Sequence, residues 1–171
     1  MTRDDHPERA TAVGRVVGLQ RSGGGVPKIG VECAMVTERG MEGDRQRNRR
    51  IHGGPTRALC AYSQDHIDAL VAEGHPIAPG VLGENVTIAG LPWSEVRPGI
   101  RLRIGAVEVE VTAYAAPCET IAHAFADRRF VRIGQKLNPG WSRVYMSVLR
   151  AGPIAVGDQV CLVSLEHTNK N

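Results

Sequence analysis

The chain has 171 residues, of which 42% are hydrophobic, 23% charged and 4% aromatic, and its formal net charge is +3. This length fits one domain with its own core, and the composition is globular rather than disordered. The scarcity of aromatic residues disfavours proteins that stack single-stranded bases on exposed rings, so we do not expect nucleic acid as the partner. We find no apolar signal segment and no run long enough for a membrane span, which predicts a cytoplasmic protein without a membrane partner.

Eight strands are predicted along the chain from alternating or continuous apolar runs bounded by glycine and proline. They cover 12–19, 31–36, 58–62, 86–88, 100–104, 107–111, 142–150 and 159–164. We expect turns at Asn138-Pro139-Gly140, Gly152-Pro153 and Gly157-Asp158. We also expect residues 1–11 to form a disordered tail, 12–165 a single domain and 166–171 a polar tail. Many short strands with few helices predict a mainly β protein, either a barrel or a sandwich with helical additions.

Two helices are predicted between these strands. Ser63 is a good N-cap for the first, whose apolar face contains Ile67, Leu70 and Val71. The second begins at Pro117-Cys118 and runs through residue 126. His66 and His75 lie on or just after the first helix and are expected at the surface.

The four cysteines are far apart and include no C-x-x-C pair, which predicts reduced thiols and disfavours a zinc site. Cys33, Cys60 and Cys161 lie in apolar strands, so we expect them in the core. Cys118 stands where a helix begins, and unsatisfied N–H groups there lower the pKa of a thiol. Cys118 is therefore the best candidate for a reactive residue, and a buried structural cysteine is the alternative.

The positive charge is concentrated in residues 43–57, which hold five arginines and one aspartate. Arginine suits phosphate or carboxylate, and paired glycines let a backbone approach a ligand closely. The alternative is a solvated loop. Glu84 and Asn85, at the head of a strand, either orient a ligand or satisfy turn backbone. Arg143, at the start of another strand, is either an anion contact or an edge-strand charge.

Taken together, several segments resemble the MOSC domain, named after the C-terminal domain of molybdenum cofactor sulfurases. The resemblance runs from about Val13 to Val163, and the chain is similar to the small stand-alone bacterial members of the family. It is carried by Gly43-Asp44-Arg45-Gln46, His52-Gly53-Gly54-Pro55, Arg57-Ala58, Ala61-Tyr62-Ser63, Gly83-Glu84-Asn85-Val86-Thr87, Arg103-Ile104-Gly105, Pro117-Cys118, Arg143-Val144 and Gly157-Asp158. The chain departs from the family where an arginine often precedes the Pro-Cys pair, since Ala115 and Ala116 stand there, and at Gly99-Ile100, where Gly-Asp is usual. The resemblance implies a β-barrel with a few peripheral helices.

The resemblance also implies molybdenum cofactor (molybdopterin) as ligand, without dependence on pyridoxal phosphate. Some relatives reduce N-hydroxylated compounds such as hydroxylaminopurines and amidoximes, and others are proposed to carry sulfur. Cys118 matches the family cysteine that acts as molybdenum ligand or sulfur carrier, which suits a soft thiolate. The cofactor-binding residues implied are Arg45, Arg47, His52, Gly53, Gly54, Arg57, Glu84, Asn85 and Arg143.

The main hypothesis is therefore a molybdenum-cofactor-binding enzyme that reduces small N-hydroxylated compounds with electrons from partner redox proteins. The alternative is a sulfur or cofactor carrier that uses a persulfide on Cys118. A third reading is a binding module without chemistry. The oligomeric state is left open.

Overall fold

The computed structural model describes residues 9–45 and 54–164. Within these ranges the chain forms eleven strands, one α-helix and four 3-10 helices. The strands are β1 Arg9–Arg21, β2 Ile29–Val31, β3 Cys33–Thr37, β4 Gly40–Met41, β5 Leu59–Ser63, β6 Val86–Ala89, β7 Arg101–Ile104, β8 Val107–Ala115, β9 Arg143–Arg150, β10 Gly152–Ala155 and β11 Gln159–Ser164. The helix α1 is Gln64–Ala72, and the 3-10 helices are Pro55–Arg57, Trp93–Glu95, Glu119–Ala124 and Phe130–Ile133.

Seven strands close into a barrel in the order β1-β6-β5-β9-β8-β7-β11, because β11 pairs with both β7 and β1. Neighbours are antiparallel except β5 and β6, which are parallel and joined through the crossover helix α1. β2 pairs with the end of β1 beside the ring. The expected mainly β barrel with few helices is confirmed.

The alternation predicted for β8 sets which side chains fill the barrel. Val107, Val109 and Val111 are fully buried, whereas Glu108 and Glu110 face outward. Glu108 and Glu110 pair there with basic residues of the neighbouring strands, at 2.5 Å from Arg150 and 3.4 Å from Arg101. Each buried valine contributes on the order of 2 kcal/mol to folding, so the apolar side of this strand is a main source of barrel stability.

The start of the first helix is as predicted from the sequence, but its buried face is smaller than predicted. Ser63 caps it, since its hydroxyl accepts a hydrogen bond from the His66 N–H at 3.2 Å. Ile67 and Leu70 are buried, but the expectation that Val71 joins them is wrong, because Val71 is half exposed. No helix among the described residues is long and apolar enough to cross a bilayer, and α1 has nine residues.

Three further expectations are wrong. Gly152-Pro153 is not a turn but part of β10, an outer strand of the small sheet β10-β3-β4, where a missing proline N–H is tolerated. The segment after Cys118 is a 3-10 helix over Glu119–Ala124, shorter than the helix predicted through 126. Cys33 is exposed, because the alternation of β3 turns Ala34 and Val36 inward instead.

The two histidines near α1 are less exposed than expected. His75 is buried, packs against the Phe125 ring and accepts a hydrogen bond at Nδ1 from the Ala126 N–H at 3.2 Å. His66 is half-buried and stacks on the Trp141 ring at 4.2 Å, and burial lowers its pKa. Both histidines therefore contribute to packing.

Candidate functional site

A cavity of about 720 Å³ opens beside the barrel where β5, β8 and β9 meet the arginine-rich segment. Its walls hold four cationic side chains and no acidic one among the described residues. They are formed by Gly25, Val26, Lys28, Arg45, Arg57, Cys60, Leu82, Gly83, Tyr114, Ala116, Pro117, Cys118, Thr120, Ile121, Arg143 and Tyr145. A smaller pocket of about 210 Å³ lies on the other side of Tyr114, beside Trp93 and Gln135, and the described residues that line it include no charged side chain. The larger cavity is therefore the candidate site for an anionic ligand.

Two cysteines reach this cavity in different states. Cys118 is half-buried, has extended backbone and immediately precedes the 3-10 helix Glu119–Ala124. Cys60 is buried in β5, and burial raises the pKa of its thiol to about 11. A neutral thiol is a poor nucleophile and metal ligand. Cys118 is therefore the more accessible of the two sulfur atoms in the cavity, and its reactivity stays a prediction.

Arg143 lies at the start of β9 and is buried, yet it lines the cavity. Its Nη1 donates to the Leu82 carbonyl at 2.5 Å and its Nη2 to the Ala116 carbonyl at 3.5 Å. Its Nε is buried without a hydrogen-bond partner among the described residues. The guanidinium is thus held in the wall by two carbonyls, and no carboxylate of the described residues forms an ion pair with it.

Arg57 and Tyr145 face each other across the cavity wall. The Arg57 guanidinium carbon lies 5.0 Å from the centre of the Tyr145 ring, which is a cation–π distance. Burial raises the pKa of the Tyr145 hydroxyl, so this group keeps its proton at neutral pH. The pair gives the cavity a fixed cation beside a protonated phenol.

Lys28 is a cavity residue that the sequence reading missed. Its Nζ lies 2.6 Å and 2.7 Å from the two oxygens of Asp44, and both side chains are almost fully buried. A buried lysine needs such a partner. A single lysine beside a glycine-rich turn carries no periodic signal. Its role depends on its proximity to Asp44, which the sequence does not reveal.

Asp44 also anchors the start of the arginine-rich segment. Its Oδ1 accepts a hydrogen bond from the Ser22 N–H at 2.9 Å, and its Oδ2 accepts one from Asn85 Nδ2 at the same distance. The N–H of the next residue, Arg45, donates a hydrogen bond to the Ser22 carbonyl at 2.7 Å. These bonds fix the backbone of Arg45 at the edge of the cavity.

Glu84 and Asn85 are fully buried and are not among the residues that line the cavity. Glu84 Oε1 accepts from the Gly80 N–H at 2.6 Å, whereas its Oε2 is buried without a hydrogen-bond partner in the described part of the chain. Burial raises the pKa of the Glu84 carboxyl. Asn85 supports the cavity wall directly, because its Oδ1 accepts from the N–H of the wall residue Cys60, whereas Glu84 fixes the Gly80 turn.

The remaining site residues chosen from the sequence have mixed outcomes. Gly54 precedes the 3-10 helix Pro55–Arg57 with φ of 92°, a backbone conformation that favours glycine, but it does not line the cavity. Arg47, His52 and Gly53 lie outside the described residues. The structure therefore brings together Cys118 with the cations chosen from the sequence at positions 45, 57 and 143.

The fold and the site define a closed seven-stranded barrel domain with a basic cavity that contains an accessible thiol. A family model for the MOSC domain matches residues 48–161. The chain belongs to the MOSC domain family, which is associated with molybdenum cofactor sulfurases. The resemblance seen in the sequence is thereby confirmed.

Two curated relatives and two solved structures illustrate the relationship. The chain is 32% identical over 136 residues to protein YiiM of Escherichia coli strain K12 (76% of this chain, 59% of YiiM). It is 30% identical over 133 residues to the uncharacterized protein YflK of Bacillus subtilis strain 168 (77% of this chain, 59% of YflK). The chain therefore matches about three fifths of the length of these relatives.

The crystal structure of E. coli YiiM superposes with a TM-score of 0.65 at 28% identity, covering 88% of this chain and 70% of that one. The YUAD protein of Bacillus subtilis gives a TM-score of 0.72 at 18% identity, covering 90% of this chain and 97% of that one, and supports the fold alone.

Proposed function

We propose that the chain binds molybdenum cofactor in the basic cavity and reduces small N-hydroxylated compounds with electrons from a partner redox protein. The observation that carries this proposal is the presence of Cys118, half-buried, in a cavity of about 720 Å³ with four cationic side chains. A thiolate is a soft ligand that suits molybdenum, and guanidinium groups suit a phosphate. One cavity thus offers a partner to both ends of the cofactor.

The residues present fit this group. The buried Arg143 Nε has no partner among the described residues, and a phosphate oxygen is the kind of acceptor it needs. Arg57, Arg45 and Lys28 add positive charge to the same walls, although Asp44 already pairs with Lys28. The described residues contain no cluster of three or more His, Cys, Asp or Glu side chains suited to a metal. The protein would therefore hold the metal through Cys118, with the other ligands brought by the cofactor.

When bound, the cofactor would supply a two-electron redox centre for reductive cleavage of the substrate N–O bond. The overall change is R–NH–OH plus two electrons and two protons to R–NH₂ and water. The electrons come from a reduced partner protein, and the protons come from solvent through the cavity.

The side chains of the cavity prepare this change in two ways. Leu82 and Ile121 contribute apolar side chains to the wall of the cavity that contains Cys118. Tyr145 holds a proton on its hydroxyl, because burial keeps that phenol neutral. Cys60 keeps its proton as well and does not compete with Cys118 as a ligand.

The accessible thiol also supports a second candidate, a sulfur carrier. In that case the Cys118 thiolate attacks the outer sulfur of a donor persulfide, the donor S–S bond breaks, and the donor leaves as a thiolate. The carrier would hold the sulfur as a Cys118 persulfide for transfer to a later acceptor. The cationic walls would stabilise an anionic persulfide.

The test is molybdenum and pterin content of protein expressed in a host that makes the cofactor. Wild type is compared with Cys118→Ser and with Cys60→Ser, a matched cysteine change in the same cavity. We expect near-stoichiometric molybdenum in wild type and Cys60→Ser and less than about a tenth of it in Cys118→Ser.

Other results would change the assignment. Equal molybdenum in wild type and Cys118→Ser would contradict the role of this cysteine as ligand. No molybdenum in any variant, together with persulfide trapped on Cys118, would favour the carrier. Neither signal would leave a binding module without chemistry.

A further inference from the structure

A basic surface with exposed apolar side chains lies next to the cavity. We define the basic surface by Arg128, Arg129, Val131, Lys136 and Leu137. The apolar members are exposed, Val131 to 42% and Leu137 to 62%, and the three cations are exposed as well. Exposed apolar side chains that lie in the same short segment as several exposed cations are typical of a site where another protein docks.

The charges of the basic surface are not cancelled within the described part of the chain. Arg132 lies nearby, but Glu73 pairs with it at 2.7 Å and its guanidinium stacks over Trp141, so it belongs to the packing. The exposed carboxylates closest along the chain are Glu119 and Asp127, and Asp127 accepts a hydrogen bond from the Arg129 N–H at 3.0 Å. The basic surface therefore remains positive, with three cations against the two carboxylates of Glu119 and Asp127.

The backbone of Arg128 is unusual. Its φ is 59°, and it is the one non-glycine residue with positive φ among those that the structure describes. Arg128 is exposed, and its backbone conformation is one in which glycine or asparagine would be less strained.

The basic surface borders the cavity. The segment that carries it ends its 3-10 helix Phe130–Ile133 at Gly134, and a Cβ placed on Gly134 would lie 3.5 Å from Cγ of Pro117. Pro117 and Thr120, which flank Cys118, both line the cavity. A protein docked on the basic surface would therefore lie beside the wall that contains the reactive thiol.

We propose that the basic surface docks an acidic electron-carrier protein and brings its reduced cofactor beside the cavity. This proposal rests on the proposed reductase function, which consumes two electrons per substrate. Weak redox encounters use small interfaces and opposite charge to steer association. The carrier protein is oxidised by two electrons in total, the substrate N–O bond is reduced, and two protons are taken from solvent.

The test compares two electron sources with the cofactor-loaded protein and benzamidoxime as substrate. One source is a photoreduced acidic flavodoxin, which must dock; the other is reduced methyl viologen, a small molecule that needs no docking surface. The variants are Arg128→Glu with Arg129→Glu, and Lys136→Glu with Leu137→Ser, which leaves the Arg128 turn unchanged. Arg15→Glu with Arg39→Glu is the control, since both arginines are exposed and lie on other elements. Flavodoxin binding is also measured directly by calorimetry at low and high salt.

We expect at least a tenfold fall in kcat/KM for flavodoxin in both surface variants, with viologen-driven rates within twofold of wild type. The control should keep both rates, and binding should weaken with salt in wild type. Unchanged flavodoxin kinetics in both surface variants would overturn the docking surface and leave the reductase intact. No turnover with either donor would overturn the proposed function. In that case flavodoxin binding decides the docking surface separately. Binding lost only in the surface variants would support the docking surface, and equal binding in all variants would overturn it.

Discussion

The side-chain amide of Asn85 donates from Nδ2 to Oδ2 of Asp44 at 2.9 Å. Its Oδ1 accepts a hydrogen bond from the Cys60 N–H at 3.1 Å, and the Asn85 N–H donates to the Cys60 carbonyl at 2.8 Å. Asp44 lies at the start of the arginine-rich segment, and Cys60 follows its end by three residues. One buried amide therefore joins both ends of that segment, next to the cavity that contains Arg45 and Arg57.

The buried pair of Lys28 and Asp44 allows a direct test of this anchor. Asp44→Asn leaves the Lys28 ammonium buried without its carboxylate, and loss of one partner of a buried pair costs about 3 to 5 kcal/mol. We expect the free energy of unfolding to fall by about that amount in urea titrations. The double variant Lys28→Met with Asp44→Asn removes both charges and keeps a side-chain oxygen that can accept from the Ser22 N–H, so it should recover most of this loss. A loss below about 1 kcal/mol in Asp44→Asn would show that the lysine finds another partner.

The helix cap gives a second prediction. Ser63→Ala removes the hydroxyl that accepts from the His66 N–H, and loss of an N-cap costs about 1 kcal/mol. We expect the unfolding midpoint in urea to fall accordingly, with an unchanged slope. Asp68→Ala, an exposed change on the same helix, is the control and should stay within about 0.5 kcal/mol. Equal losses in the two variants would argue against a capping role.

Much of the barrel could be predicted from the sequence, because a strand with one wet face has a clear period. The alternation of Val107 and Glu108 is followed by the structure. Ring closure has no local signal, since the pairing of β1 with β11 joins residues as far apart as Arg9 and Ser164. The failure at Pro153 has the same origin, because an edge position depends on strand order.

Some residues of the candidate site could also be predicted from the sequence, and others could not. Cys118 and Arg143 stand out in the sequence through residue type and position, and both line the cavity. Lys28 and Tyr145 could not be singled out, because they reach the cavity only through the packing of distant strands. The roles of Glu84 and Asn85 were harder to separate, since a buried carboxyl or amide that supports a wall looks like a ligand-binding residue in the sequence.

The cysteines should differ in their reaction with a disulfide reagent at pH 8. In a Cys33→Ser background, which removes the exposed thiol, we expect one fast equivalent, from Cys118, in the native protein. Cys60 should react only on unfolding, since burial and a pKa of about 11 leave roughly a thousandth of it ionised. Cys161 is buried as well. Cys33→Ser with Cys118→Ser should lose the fast phase, and a fast phase that persists there would mean that Cys60 or Cys161 is accessible.

The buried carboxyl of Glu84 predicts how stability depends on pH. Burial raises its folded-state pKa above the ordinary 4.5, so the folded protein holds this proton more tightly than the unfolded chain does. Between the two pKa values the folded state binds more protons, and the free energy of unfolding therefore falls as pH rises. The contribution is fully present below the unfolded pKa and is lost as pH passes through the raised one.

Glu84→Gln isolates this contribution, because the amide has nearly the same shape and cannot ionise. Its oxygen can still accept the Gly80 N–H that now bonds to Glu84 Oε1. We expect urea titrations between pH 4.5 and 8 to give a flatter profile for Glu84→Gln than for wild type, with the variant gaining relative stability as pH rises. Asp65→Asn, at an exposed position of α1, is the control and should keep the wild-type slope. Parallel profiles for wild type and Glu84→Gln would mean that Glu84 has the same proton affinity in the folded and unfolded states.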